Sequence, residues 1–240
     1  MDNSIIKPEW FDAAIDAHLV SPVIKATGAL IAGHDPFDDG NDAAGYALRH
    51  GPVIKSVKSK DRGEVDECCD WALDLAIQDR ADVFVWDGDG MGTGLKGQIS
   101  KALNGKAMAY EMFRGSLSGS AQYNAKAAYQ PDEGGKSVSY DETFKNNRAQ
   151  FYSALARRFQ NTFNHIIKGH YIDPDEMISL DSSGIEDMTG LRAQLCRIPT
   201  VPNGSGLIQL MSKQHMKTKL QLDSPNEADS VMMTMFTPAT

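Results

Sequence analysis

Two short apolar segments, each leading into an aspartate, constrain the fold of this 240-residue chain more than any other feature. The first covers residues 28–34 and stops at Asp35, and the second covers residues 82–86 and stops at Asp87. Both are apolar on both faces, which is the pattern of central buried strands. In an open α/β sheet, ligand-binding and catalytic residues usually lie just beyond the carboxyl ends of the strands. If the two strands are neighbours, the two carboxylates therefore lie side by side.

Helical periodicity predicts the layers that would cover such a sheet. With 41% hydrophobic residues, the chain can build one substantial α/β domain, or one domain with a large insertion. Residues 114–143 are poor in apolar residues and predict a long exposed loop or hairpin. We expect helices at 7–20, 64–78, 95–103, 144–163, 183–195 and 225–236, and further strands at 43–50, 52–59 and 105–111.

A third acid, Asp229, lies one turn into the final predicted helix. A helix packed across the sheet could deliver it to the same point as Asp35 and Asp87. Neighbouring carboxylates repel unless they share a proton or a cation, and oxygen ligands suit Mg²⁺ or Mn²⁺. Three carboxylates can hold two metal ions about 4 Å apart, which is the arrangement that cleaves phosphodiesters. Each aspartate taken alone is better explained as a turn former or a helix cap, so the hypothesis depends on their joint placement.

Charge, composition and the lack of certain motifs argue against several other classes of protein and site. The formal net charge of -8 argues against a dedicated DNA-binding module, although a nuclease that holds cations on carboxylates can be acidic overall. No apolar run approaches the roughly 18 residues of a membrane helix, so no membrane association is expected. The three cysteines form no zinc motif. The GGKS segment at 134–137 lacks the leading glycine of a phosphate loop, so no nucleotide cofactor site is expected.

Several polar residues have two open interpretations. His34 adjoins Asp35 and is either an assisting group or a packed histidine. His215 lies in a basic stretch with Lys213, Lys217 and Lys219, which could face DNA phosphates or only solvent.

Three ordered motifs resemble those of the nuclease domains of tailed-phage terminase large subunits. GHDPFDDGNDAAGY is similar to their first motif, ADVFVWDGDGMGTGL to their second and SPNEADSVMM to their third. The resemblance implies an α/β, RNase H-like mixed central sheet flanked by helices. It also implies an endonuclease that cuts concatemeric double-stranded phage DNA during packaging with Mg²⁺ or Mn²⁺. By this resemblance the metal-binding acids are Asp35, Asp87 and Asp229, with Asp42 and Asp89 as auxiliary candidates.

The same resemblance implies a domain plan and partners. Residues 1–24 would be an N-terminal helix and linker remnant, and residues 25–240 the nuclease domain, with the insertion at about 114–143. The family's ATPase motor is missing from this chain. A portal protein and a small terminase subunit would be the partners, in the host cytoplasm at the procapsid portal. The alternatives are another RNase H-like nuclease, such as a junction resolvase, and a non-catalytic DNA-binding or docking domain of the same fold.

Overall fold

The computed structural model describes residues 3–37, 43–118, 128–129 and 138–237. Its helices are α1 (Pro8–Ala14), α2 (Ala17–Val20), α3 (Val65–Gln78), α4 (Lys96–Ala102), α5 (Tyr140–Thr143), α6 (Asn147–Lys168), α7 (Met188–Leu195), α8 (Lys213–Leu220) and α9 (Asn226–Met233). Its strands are β1 (Leu30–Asp35), β2 (Ala44–His50), β3 (Val53–Lys60), β4 (Val83–Asp87), β5 (Ala109–Phe113), β6 (Ala128–Tyr129), β7 (Val138–Ser139), β8 (Ser179–Leu180), β9 (Thr200–Val201) and β10 (Gln209–Leu210).

The centre of the fold is a six-stranded mixed sheet in the order β5-β4-β1-β2-β3-β8. Strands β1, β2 and β3 form an antiparallel meander, while β4 runs parallel to β1, β5 runs parallel to β4, and β8 runs parallel to β3. The predicted mixed sheet flanked by helices is confirmed. The two predicted buried strands, β1 and β4, are direct neighbours at its centre.

Side chains alternate along the central strands and build a core on each face of the sheet. On one face, Ile31 and Val85 pack with the apolar sides of α6, α7 and α9. On the other face, Phe84 and Trp86 pack with α3 and α4. The sheet is therefore covered on both faces, as its apolar strand sequences require.

The N-terminal helix predicted over 7–20 is wrong as a single element. It ends at Ala14 and resumes at Ala17, because Asp16 takes a left-handed conformation with φ 53°. The Asp16 amide donates to the carbonyl of Leu180, and its carboxylate accepts from the amide and hydroxyl of Ser182. Contacts to distant residues thus replace the next turn of helix.

Further elements differ from the sequence prediction. The helix predicted over 183–195 begins only at Met188, and the strand predicted over 105–111 begins only at Ala109. Most of residues 114–143 lies outside the described part of the chain, but α5 begins at Tyr140, before the predicted end of the loop, on a reciprocal cap between Ser139 and Glu142. The lysine-rich stretch, for which no helix was predicted, forms α8, with the Ser212 hydroxyl accepting from the amide of His215 at its start. Ser212 is the kind of cap residue that starts helices.

Candidate active site

The parallel pairing of β1 and β4 sets Asp35 and Asp87 side by side. The register pairs His34 with Trp86, so the next residue of each strand is an aspartate at the same edge of the sheet. Asp35 is buried, whereas the side chain of Asp87 is 21% exposed. The Asp87 carboxylate also accepts a 2.9 Å hydrogen bond from the amide of Asp89, which fixes its orientation. The predicted meeting of these two acids occurs at the predicted edge.

Helix α9 reaches the same point because it packs directly on the backbone of β1 and β2. A Cβ added at Gly33 would lie under 3.0 Å from the carbonyl oxygen of Ser230, and one at Gly45 would meet the carbonyl of Asn226 equally closely. Glycine at both positions therefore permits the close approach of the helix. The amide of Asp35 donates to the Ser230 hydroxyl at 3.1 Å, linking the strand end to the turn of helix that carries Asp229.

The ammonium group of Lys213 lies among the three carboxylates. Its Nζ atom is 3.1 Å from Oδ2 of Asp35, 2.7 Å from Oδ2 of Asp229 and 3.9 Å from Oδ2 of Asp87. The three acids named from the sequence thus converge on one cationic group. Lys213 reaches them from the first turn of α8, and its side chain is 35% exposed.

A second group of side chains holds the other oxygen of Asp229. The hydroxyl of Tyr152 donates to Asp229 Oδ1 at 2.5 Å, and Nη2 of Arg148 is 3.5 Å from the same oxygen. Both residues lie on α6 and are one turn apart. Asp229 is therefore engaged on both of its oxygens, one from α6 and one from α8.

The pKa values of the three aspartates are shifted in different directions. Burial raises the pKa of Asp35 to about 8, against the opposing attraction of Lys213. Burial also raises the pKa of Asp87 above its usual value. Burial acts in the same sense on Asp229, but Lys213 and Arg148 outweigh it and lower the pKa of that carboxyl. When all three carboxyl groups are ionised, their negative charge therefore exceeds the positive charge of Lys213 and Arg148.

The carboxylate oxygens of Asp35, Asp87 and Asp229 suit a hard divalent cation. All three acids offer oxygen, the ligand atom that Mg²⁺ and Mn²⁺ prefer. The Lys213 ammonium shows that the three carboxylates can face one cation, and the raised pKa values of Asp35 and Asp87 show that further positive charge would stabilise their ionised forms.

The auxiliary candidates have other partners or lie elsewhere. Asp89 accepts from Nε of Arg114 and from the amide and hydroxyl of Ser116, so it anchors the turn after β5. Asp42 falls outside the described residues. His34 is fully buried on the opposite face of β1, where its Nδ1 bonds the carbonyl of Gly45 and its ring packs near Phe84.

A separate cluster of possible ligands joins the N-terminal segment to the far edge of the sheet. One ligand atom each from Asp16, His18 and Asp181 lies within 4.8 Å of the other two. The carboxylates already have protein partners, since Asp16 accepts from Ser182 and Asp181 pairs with Lys55. We interpret this cluster as a structural clasp.

Sequence reasoning missed the roles of Lys213, Arg148 and Tyr152. The sequence shows Lys213 only as one of several lysines in a basic stretch, and nothing in it distinguishes Lys213 from Lys217 or Lys219. Arg148 and Tyr152 lie in the segment NNRAQFY, whose spacing of four puts both on one helix face.

Comparison with known proteins gives matches among solved structures. No protein-family model matches the chain, and no curated protein matches it. The nuclease domain of the large terminase subunit gp2 of bacterial virus Sf6 is 43% identical over 98% of this chain and 100% of that chain, with a TM-score of 0.91. A mutant of that domain with manganese and beta-thujaplicinol has the same identity and coverage and a TM-score of 0.90. The large terminase nuclease from thermophilic phage G20c shares the fold at 10% identity, with 97% of each chain covered and a TM-score of 0.53.

Proposed function

The chain belongs to the nuclease domains of phage terminase large subunits, and on that premise we propose that Asp35, Asp87 and Asp229 are its catalytic metal ligands. The protein is a metal-dependent DNA endonuclease with an RNase H-like fold. The observation that carries the proposed site is the convergence of the three carboxylates on the Lys213 ammonium. This convergence also argues against a non-catalytic docking domain, and the 43% identity favours a terminase nuclease over a junction resolvase.

The proposed reaction is hydrolysis of a phosphodiester bond with two divalent ions. When bound, such ions supply an activated water and stabilise the leaving oxygen. The relative from Sf6 has been solved with manganese, which agrees with the all-oxygen donor set here. Asp35 and Asp87 would hold the ions at the strand ends, and Asp229 would face them from α9. The burial of Asp35 and Asp229 restricts bulk water around their charges and strengthens the electrostatic interactions at the site.

The proposed substrate is double-stranded concatemeric phage DNA, cut into genome lengths during packaging. We further propose that the domain acts beside an ATPase motor, a portal protein and a small terminase subunit, in the host cytoplasm at the procapsid portal. None of the helices in the described part of the chain is long and apolar enough to cross a membrane.

We propose a division of the chain into an N-terminal segment, residues 1–24, and a nuclease domain, residues 25–240, with an insertion at about 114–143. Phe11 of the N-terminal segment stacks on Phe159 of α6 with ring centroids 5.7 Å apart. That contact implies that the segment is packed on the nuclease domain and contributes to its stability.

Plasmid cleavage tests the proposed site. Supercoiled plasmid is incubated with the protein and Mg²⁺ or Mn²⁺, with and without a chelator. We expect activity only with the metal, and a loss of at least 100-fold in Asp35→Asn, Asp87→Asn or Asp229→Asn, because asparagine keeps the shape but removes the charge. Asp181→Asn is the matched control, since Asp181 is also buried but lies in the structural clasp. Full activity in the chelator, or in all three site variants, would contradict the assignment.

A further inference from the structure

We propose that Tyr152 and Arg148 are positioning residues, which lock Asp229 Oδ1 so that Oδ2 is the oxygen offered to the metal. The proposal depends on the proposed function, because Asp229 must be a metal ligand for its orientation to matter. Neither residue is proposed to touch the DNA or the reacting atoms.

The two oxygens of Asp229 have separate partners. Oδ1 accepts the 2.5 Å hydrogen bond from Tyr152 and lies 3.5 Å from Nη2 of Arg148. Oδ2 faces the centre, 2.7 Å from Nζ of Lys213. A carboxylate can swing about its terminal torsion, which is broad. Fixing one oxygen from α6 removes that freedom and leaves the other oxygen directed at the point where the acids converge.

Helix α6 is well placed to supply this lock. Its first turn is capped by Asn146, whose side chain accepts from the amide of Ala149. The Asn147 side chain donates to the carbonyl of Arg114, and the Arg148 amide donates to the carbonyl of Gly115, both just beyond β5. The start of α6 is therefore tied to the same end of the sheet as the active site.

Arg148 and Tyr152 also fix one another. The guanidinium carbon of Arg148 lies 5.1 Å from the centre of the Tyr152 ring, within the range of a cation–π contact. Nη1 of Arg148 donates to the carbonyl of Met211, which directly precedes the cap of α8. One guanidinium thus connects Asp229 to the segment that brings Lys213 into the centre.

The charge of Arg148 supports the same role. Its side chain is only 14% exposed, and a buried cation requires a nearby anion. Among the described residues, Asp229 is the anion that lies within ion-pair distance of the Arg148 guanidinium. The guanidinium therefore supplies a counter-charge to the ionised carboxylate, which is the form that binds metal.

The test measures Mn²⁺ affinity directly, by calorimetric titration of the protein without DNA. Loss of a group that orients a metal ligand typically costs 10- to 100-fold in affinity. We expect Tyr152→Phe to raise the Kd for Mn²⁺ by about that factor, while the KM for plasmid at saturating Mn²⁺ stays within about twofold of wild type. Arg148→Gln should weaken Mn²⁺ binding similarly, and Arg148→Lys, which keeps the charge, should recover part of the loss.

Tyr46→Phe is the matched control. Tyr46 is as buried as Tyr152, and its hydroxyl also donates to a carboxylate, that of Asp79, at 2.8 Å. It lies outside the active site, so its variant should lose stability without a change in Mn²⁺ affinity. If Tyr152→Phe fails to fold, the titration of Arg148→Gln decides, because that variant keeps the tyrosine hydroxyl.

The outcomes separate this inference from the function on which it rests. If wild type binds Mn²⁺ and cuts DNA while both variants bind Mn²⁺ as tightly as wild type, the positioning role is overturned and the metal site stands. If wild type neither binds Mn²⁺ nor cuts DNA, the proposed function itself fails. Equal weakening in Tyr46→Phe would reduce the effect to a general loss of packing and overturn the inference.

Discussion

The Nζ atom of Lys213 lies 2.7 Å from Oδ2 of Asp229, so an ammonium group already stands where the oxygen ligands converge. It contacts Asp35 at 3.1 Å as well. A positive group at this point stabilises the ionised acids when no metal is bound and opposes the approach of a divalent cation. The protein therefore carries within its own chain a positive charge at the point where we propose that the metal binds.

Lys213→Ala should accordingly lower the melting temperature in chelator and enlarge the stabilisation by Mn²⁺. Without the ammonium, the buried carboxylates lose a shared counter-charge, and the bound metal becomes their main compensation. A tenfold gain in apparent affinity adds about 1.4 kcal/mol, or roughly 3–6 °C, to the shift caused by a fixed Mn²⁺ concentration. Thermal melts with and without Mn²⁺ measure this. Lys219→Ala, at an exposed position of α8, serves as the control, and equal shifts in both variants would contradict the prediction.

Gly33→Ala should disrupt both folding and cleavage. The new methyl group would collide with the carbonyl of Ser230 and push α9, with Asp229, away from the strand. Overpacking of this kind costs about 1–3 kcal/mol, and displacement of the ligand should reduce cleavage by more than tenfold. Chemical denaturation and plasmid cleavage are the two measurements.

Gly97→Ala is the natural comparison for that variant. Gly97 lies in α4, and a Cβ there would meet no heavy atom of the described structure within 4 Å. Alanine should stabilise the helix by about 0.5–1 kcal/mol and leave cleavage unchanged. A loss of activity in this variant as large as in Gly33→Ala would remove the steric explanation.

Acid should weaken the ion pair between Lys55 and Asp181. Burial of Asp181 opposes ionisation, but hydrogen bonds from Lys55 and Ser183 prevail and lower its pKa to about 2. Because the folded-state pKa lies below the usual 3.8, the stabilisation is complete above about pH 4–5 and is lost as the pH falls towards 2. We expect Asp181→Asn to cost about 1–2 kcal/mol at pH 7, allowing for the partial exposure of Lys55, and almost nothing near pH 2. Urea unfolding across this range measures the difference, and a pH-independent cost would count against the pair.

Cleavage by this isolated domain should be weak, unselective and sensitive to salt. The chain has a net charge of -8, so its affinity for DNA depends on a limited set of lysine and arginine contacts with phosphates. We expect activity to require high protein concentration, to fall steeply between about 50 and 200 mM salt and to give a smear instead of discrete bands. Tight, salt-resistant cutting at one sequence would point to a self-sufficient sequence-specific nuclease.

Asp35 and Asp87 could be predicted from the sequence because each directly follows a strand with a recognisable local pattern. Apolar residues on both faces of β1 and β4 indicate buried, neighbouring strands. The parallel register of these strands then places the two aspartates side by side. Asp229 required one further step, the packing of a terminal helix across the sheet. The two glycines that permit this packing, Gly33 and Gly45, are visible in the sequence, but their partner is not.

The remaining site residues depend on long-range geometry that no local pattern specifies. Lys213 enters the centre because of where α8 begins, and one residue of offset in that helix would have turned the side chain by about 100°. The break of the first helix at Asp16 likewise depends on Ser182, more than 160 residues away. Such contacts have no signature in hydrophobic periodicity.

The close packing of α9 on Gly33 and Gly45 has a consequence for how this enzyme can change. The main chain of the helix packs on the main chain of the strands there, so the distance between the sheet and the helix that carries Asp229 is set by atoms that every residue type shares. Substitutions among the aliphatic side chains around it can alter volume without altering that height. Substitutions in the surrounding core are thus compatible with a constant position of Asp229 above the sheet, whereas a side chain at Gly33 or Gly45 is not.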